Sequence, residues 1–315
     1  MKPSEQQEKL RTTIGGQALI EGIYMRGPQK QSIVVRSPDG LVEKVEDLKL
    51  IKDRHPILGW PFIRGVVNFG SSMVCGVKAL LYSAEFFPED EDAKPDKLEL
   101  WLQEHVSSDT LEKLLLYGSA ALGVLFSIGL FLLLPTFLVG LIHPIAERYV
   151  LRNLLEGLVK IALLVLYLGL VSRMKDMRRV FSYHGAEHKT IRCYEMGLPL
   201  TVENVRRQTR KHPRCGTSFL FVVLFVSILT GALIQTGNTL LRMLLHLALL
   251  PVVVGVSYEF NRLVGRHDNW LTRLLTAPGM ALQTFTTNEP DDSMIEVGIA
   301  AVKLVLPEKE GDDRW

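Results

Sequence analysis

From Leu114 to Ala146 the chain carries no Asp, Glu, Lys or Arg, a run of 33 residues. A helix needs only about 20 apolar residues to cross a bilayer, so the pattern predicts a first spanning helix near Leu115–Leu141. Pro135 is the expected kink, because it lacks a backbone donor. A second span is predicted at Leu154–Val171, with Glu156 and Lys160 near one end, where long side chains can reach the interface. Gly216 to Leu241 is again free of charge and predicts a third span at Thr217–Gln235. A short fourth follows at Met243–Tyr258, after a turn at Gln235-Thr236-Gly237-Asn238.

Outside these runs the periodicity changes. Ser32–Arg36 and Leu41–Val45 alternate around Ser37-Pro38-Asp39-Gly40, which predicts a β-hairpin. Gly15, Gly16, Gly22 and Gly27 before it mark tight turns or close backbone contacts. Residues 57–87 are ambiguous. The uncharged stretch between Arg64 and Lys78 has 13 residues, short for an independent span, and its small residues suit close helix packing. The expectation is an interfacial or re-entrant helix, with a fifth span left open. Glu89–Asp96 reads as an acidic linker. Asn261–Thr276, with Trp270, reads as a basic amphipathic stretch along a membrane surface, and Ser293–Leu306 as a final helix opened by the acids before it. The predicted fold is thus mainly α, a polytopic membrane protein with about four spans and a small N-terminal β-containing region.

This divides the chain into an N-terminal β region (1–56), an amphipathic helix with its linker (57–113), spans one and two (114–172), a basic segment (173–216), spans three and four (217–258) and C-terminal helices (259–315). Net charge is only +2, but its distribution is uneven. Between Ser172 and Gly216 lie 11 Lys or Arg and 4 acids. By the positive-inside rule this segment, and with an even number of spans both termini, are expected in the cytoplasm of a cell-membrane protein. Three cysteines are too few for a disulfide framework and fit a reducing compartment. Met1–Thr13 has no apolar core of signal-peptide type.

The chemistry concentrates in that basic segment. Tyr183-His184-Gly185-Ala186-Glu187-His188-Lys189 places two histidines four residues apart, on one face of a predicted helix from Tyr183 to Met196. Two neutral imidazoles so placed can hold a transition metal, and Glu187 beside them can act as general base toward water. The spacing is also the inverted zincin pattern. Glu195 on the same helix, Glu259 at the end of the fourth span, and His212 and Cys215 just before the third are candidates to complete the site. His, carboxylate and thiolate donors together favour zinc. The alternative is structural, with these side chains simply bonding their neighbours. Glu259 in particular is expected to pair with a basic residue. Arg206, Arg207, Arg210, Lys211 and Arg214, around a second predicted helix at Val202–Lys211, form a basic run that suits anionic lipid headgroups or a phosphate. It lacks the aromatic interleaving of base-stacking proteins, so sequence-specific nucleic-acid binding is not expected.

Several blocks together resemble the YqhQ-like family of bacterial multi-pass membrane proteins of unknown function. They are Gly15-Gly16-Gln17-Ala18-Leu19-Ile20-Glu21-Gly22 with Met25-Arg26-Gly27-Pro28, the Tyr183–Lys189 block, Leu200–Asn204, His212–Ser218 and Asn288–Asp292. The resemblance spans nearly the whole chain and implies a shared fold; such proteins are often labelled predicted metal-dependent enzymes. Two functional expectations follow: a zinc-dependent hydrolase at the cytoplasmic membrane face, or a non-catalytic scaffold whose polar segment binds a cytoplasmic protein.

Overall fold

The computed structural model describes residues 10–48, 55–87, 108–142, 148–267, 269–309 and 311–314. The acidic linker expected at Glu89–Asp96 lies outside the described residues. Four strands, β1 (Gly15–Leu19), β2 (Gly22–Arg26), β3 (Lys30–Ser37) and β4 (Gly40–Asp47), form an antiparallel meander in chain order. The predicted hairpin closes with Ser37 opposite Gly40, whose φ of +134° a side chain would oppose. β2 is buried on both sides. Ile23 and Met25 join a core with Tyr183, Met294, Val297 and Ala301, while Tyr24 packs with Leu19 and Ala79. β4 forms an exposed, charged edge, which discourages pairing with other chains.

The helices are α1 (Ile63–Ala84), α2 (Ser108–Ile128), α3 (Leu134–Gly140), α4 (Tyr149–Val171), α5 (Lys175–Glu195), α6 (Val202–Arg206), α7 (Gly216–Gly231), α8 (Thr239–Arg266), α9 (Trp270–Thr286) and α10 (Asp292–Lys303). A widened turn, Gly129–Leu133, joins α2 to α3. It sits directly before Pro135, whose missing N–H and bulky ring a regular turn would not accommodate. Among the described residues, four helical stretches are long and apolar enough to cross a bilayer: α1, Tyr117–Gly140, α4 and α8. Their outward faces carry exposed Leu122, Phe126, Leu158 and Leu240, as lipid contact requires. This is a membrane protein with an N-terminal sheet, as the sequence pattern predicts.

α1, expected as an interfacial or re-entrant helix with a fifth span left open, is a continuous helix of 22 residues, long and apolar enough to cross a bilayer, and Arg64 near its start pairs with Glu259. Its C-terminal half packs on the sheet, where Gly76 faces Gln17 and Ile20 N–H donates to Ser83 Oγ. α7, expected to span to Gln235, has 16 residues, about 24 Å at the helical rise, and so falls short of the hydrocarbon thickness.

The carbonyls at the early end of α7 have room for further donors, and buried side chains reach them. Asn153 Nδ2 donates to Ile228 O (3.1 Å), Arg242 Nη2 to Gly231 O (3.2 Å) and Arg242 Nη1 to Ile234 O. Arg152 donates to Gly237 O (3.2 Å) and Thr239 Oγ1 (3.1 Å). Both guanidinium groups converge on Glu156, at 3.0 Å from Arg152 and 2.8 Å from Arg242. Glu156 and Lys160, predicted to reach the interface, are instead 1% and 2% exposed, and Lys160 Nζ donates to Ser227 Oγ (3.0 Å). A polar group inside a membrane needs partners, and the shortness of α7 supplies them.

Candidate metal centre

α5 is longer than predicted and ends at Gly197, which takes the left-handed conformation (φ +66°). Its buried face carries Tyr183, Glu187 and His188, with His184 close behind. Gly185 sits where any side chain would strike the carbonyl of Asn288, so α5 can lie directly on the segment that opens α10. Glu21, in the turn between β1 and β2, accepts from Tyr183 OH (3.1 Å) and pairs with Arg179. The sheet is thereby tied to the same helix.

His184, His188 and Cys215 bring one donor atom each to within 4.8 Å of one another, a group able to hold a metal ion. The rings of His184 and His188 lie 4.3 Å apart, centroid to centroid. His184 Nδ1 bonds Thr286 O (2.8 Å) and His188 Nδ1 bonds Arg210 O (2.6 Å). A carbonyl only accepts, so both Nδ1 atoms carry the proton. This leaves each Nε2 as the donor atom for a ligand, and His184 Nε2 points at Cys215 Sγ, 3.2 Å away.

Cys215 is the N-cap of α7, its sulfur accepting from Thr217 N–H (3.4 Å). Burial alone would raise its pKa, but His184 and His188 outweigh burial and hold the thiol well below its ordinary value. His184 shows the complement: burial pushes it down, yet Cys215 and Glu187 raise it to about 9. The fold therefore favours a thiolate–imidazolium pair: the sulfur is in the form that binds metal, and a bound cation would displace the proton from His184 Nε2.

Glu187 completes the group. Gly16 N–H donates to its Oε1 (3.0 Å), while its Oε2 is buried without a hydrogen-bond partner, 3.8 Å from His184 Nε2. Burial raises the Glu187 pKa, partly offset by the two histidines. An orphaned carboxylate oxygen beside two imidazoles and a thiolate is what a bound cation, or water on one, would satisfy. The residues present fit a metal.

The remaining candidates have other partners. Glu195 is 5% exposed and is held by His212 Nε2 (3.1 Å), Thr12 N–H (3.2 Å) and Arg214. His212 thereby stands behind His188, ring centroids 5.7 Å apart, with its own nitrogen spent on Glu195. Glu259 accepts a fork from Arg64 at 2.7 and 2.5 Å. In the basic run, Arg206 pairs with Asp292 and Arg207 with Glu203. Arg210 donates to Thr287 O (2.8 Å), and Lys211 is exposed. The expected helix there stops at Arg206, capped by Thr201 Oγ1.

The Gly15-Gly16, His184–His188 and Cys215 segments meet at this one place. A family model described as Protein of unknown function (DUF1385) matches residues 60–308. The chain belongs to this family. Within the same group, the Uncharacterized protein YqhQ of Bacillus subtilis (strain 168) is 37% identical over 306 residues, covering 95% of this chain and 93% of that protein. No solved structure matches. The family match takes in the histidine and cysteine blocks, while the glycine-rich block at Gly15–Gly22 lies before it, and the chemistry has to be argued from geometry.

Proposed function

We propose that the protein is a zinc-dependent hydrolase at the cytoplasmic face of the cell membrane, with His184, His188 and Cys215 as ligands and Glu187 as general base. One observation carries this reading: two nitrogens and a sulfur converge within 4.8 Å, with both imidazoles oriented through Nδ1 by backbone carbonyls. Zinc is the metal such a mixed set favours, and three protein ligands leave a position open, as in catalytic sites. A bound zinc ion supplies Lewis acidity and acidifies water toward neutral pH. Glu187 holds one oxygen fixed on Gly16 and keeps the other free to take a proton, and its raised pKa makes it a stronger base. The cytoplasmic placement rests on the 11 Lys or Arg between Ser172 and Gly216.

Full-length protein purified in detergent without chelator is expected to carry about one zinc per chain. His184→Ala, His188→Ala and Cys215→Ser should each reduce that to near zero. Glu187→Gln should keep the metal and slow hydrolysis by about 10²–10⁴-fold. Metal-free wild-type protein would remove the reading. A Glu187→Gln variant that fully complements a deletion phenotype would favour the scaffold, in which this segment binds a cytoplasmic protein.

A further inference from the structure

The donor atoms line a cavity of about 1070 Å³ that also reaches the ends of α1, α7 and α8. Its wall is unbalanced in charge. Arg26, Arg64, Arg214, Arg262, Arg266 and Arg314 face it, against one carboxylate, Glu187. Arg64 is taken by Glu259 and Arg214 by Glu195. The guanidinium groups of the other four make no hydrogen bond or ion pair among the described residues. Arg262 and Arg266 stand four apart on α8, so they share a face and repel each other. The acid one turn before Arg262, Glu259, is forked onto Arg64 and gives Arg262 a longer-range attraction but no hydrogen bond.

We propose that this cavity binds a phosphate-bearing group, with Arg262 and Arg266 on its oxygens and its ester bond turned toward Glu187 and the His/Cys cluster. Guanidinium forks match phosphate oxygens. A phosphate monoester also brings close to two negative charges and three acceptors, more than one carboxylate offers to four uncompensated arginines. Hydrolysis of such an ester adds the hydroxyl of water to phosphorus and breaks the P–O bond to the leaving alcohol. The proton taken from water by Glu187 passes to that alcohol's oxygen. The hydrolytic half rests on the metal-centre reading; the binding half does not. Because span ends form part of the wall, the ligand can be a lipid headgroup or a soluble phosphate ester.

The test is calorimetric titration of the full-length protein in a phosphate-free maltoside. The probes are glycerol 3-phosphate and dihexanoyl phosphatidic acid, with dihexanoylglycerol as neutral control. Both phosphates should bind and the control should not. R262Q/R266Q should weaken binding at least about tenfold with zinc content unchanged. R262K/R266K, which keeps charge but loses the fork, should fall between, and it decides the matter if the glutamine variant does not fold. Phosphatidic acid binding about tenfold tighter than glycerol phosphate identifies the lipid as source; equal affinities identify the soluble ester. Absence of binding to either phosphate, or affinity unchanged in the arginine variants, overturns the proposal. H184A separates the two readings: it should lose zinc and still bind phosphate. Wild-type protein that binds phosphate without zinc would leave this inference standing and remove the metal.

Discussion

At one end of α7, two imidazoles and a thiol meet with their donor atoms turned toward one point, and Glu187 keeps an oxygen without a partner. At the other end, Arg152, Glu156 and Arg242 meet with their polar atoms spent on each other and on helix carbonyls. His246 Nε2 stands 3.5 Å from Glu156, on the edge of the same cluster. Both clusters are buried and ionisable, so burial alone does not tell a working site from a structural one. The distinction lies in satisfaction. A network whose members complete each other rigidifies the fold, whereas convergent donors with an open valence are free to hold something else.

The largest effect that would sharpen this contrast is Glu156→Gln. It leaves two buried guanidinium groups without their shared counter-charge, which costs about 3–5 kcal/mol. Thermal unfolding in detergent should show a marked loss, while metal content per folded chain stays the same. An unchanged melting point would mean that the intramembrane cluster is not what holds α4, α7 and α8 together.

Gly185→Ala should come next. The added methyl meets the Asn288 carbonyl, so α5 must move off the chain entering α10, at a cost of about 1–3 kcal/mol. Because Gly185 lies between His184 and Glu187, zinc affinity should fall with stability. A stable variant with unaltered zinc binding would contradict the close approach of α5 to Asn288.

The smallest effect is a pH slope. Burial holds His212 below its ordinary value, with Glu195 restoring only part. Glu195 is pushed up by burial, but His212 and Arg214 more than compensate and hold it below the usual carboxylate range. Both depressed values have the same sign in linkage. Their contribution is complete at neutral pH. It is lost as pH falls below about 6.5 through the lowered His212 value, and again below about 4.3 through that of Glu195. His212→Asn should remove the upper step and keep the lower. A melting temperature flat between those two pH values in the wild type would contradict the burial of a neutral His212.

The fold class was legible because long charge-free runs and a two-residue period leave few alternatives. His184, His188 and Glu187 were legible from their spacing on one helix. Which residue joins them was not. Cys215, Glu195, His212 and Glu259 all have suitable chemistry, and only the partners of each, Arg214 for Glu195 and Arg64 for Glu259, separate them. Arg262 and Arg266 fall in the stretch expected to lie along the membrane, since a linear pattern cannot tell a face toward lipid headgroups from a wall around a void. Expected as one surface stretch, Asn261–Thr276 is divided between α8 and α9, and Asn269 caps the second. Glu156 and Lys160 are expected near water for a related reason. Nothing local announces that α7 ends early and that neighbouring helices donate to its last carbonyls.

That early ending also fixes a length. α7 is tied at its first residue by the Cys215 sulfur and at its last turn by Arg242 and Asn153. Between these ties lie 16 residues of unbroken helix, a rod of about 24 Å that neither stretches nor bends without breaking a cap. The thiol is thus positioned less by its own loop than by an anchor on the far side of the bundle, and the registry of the two ends is one dimension of the molecule rather than two.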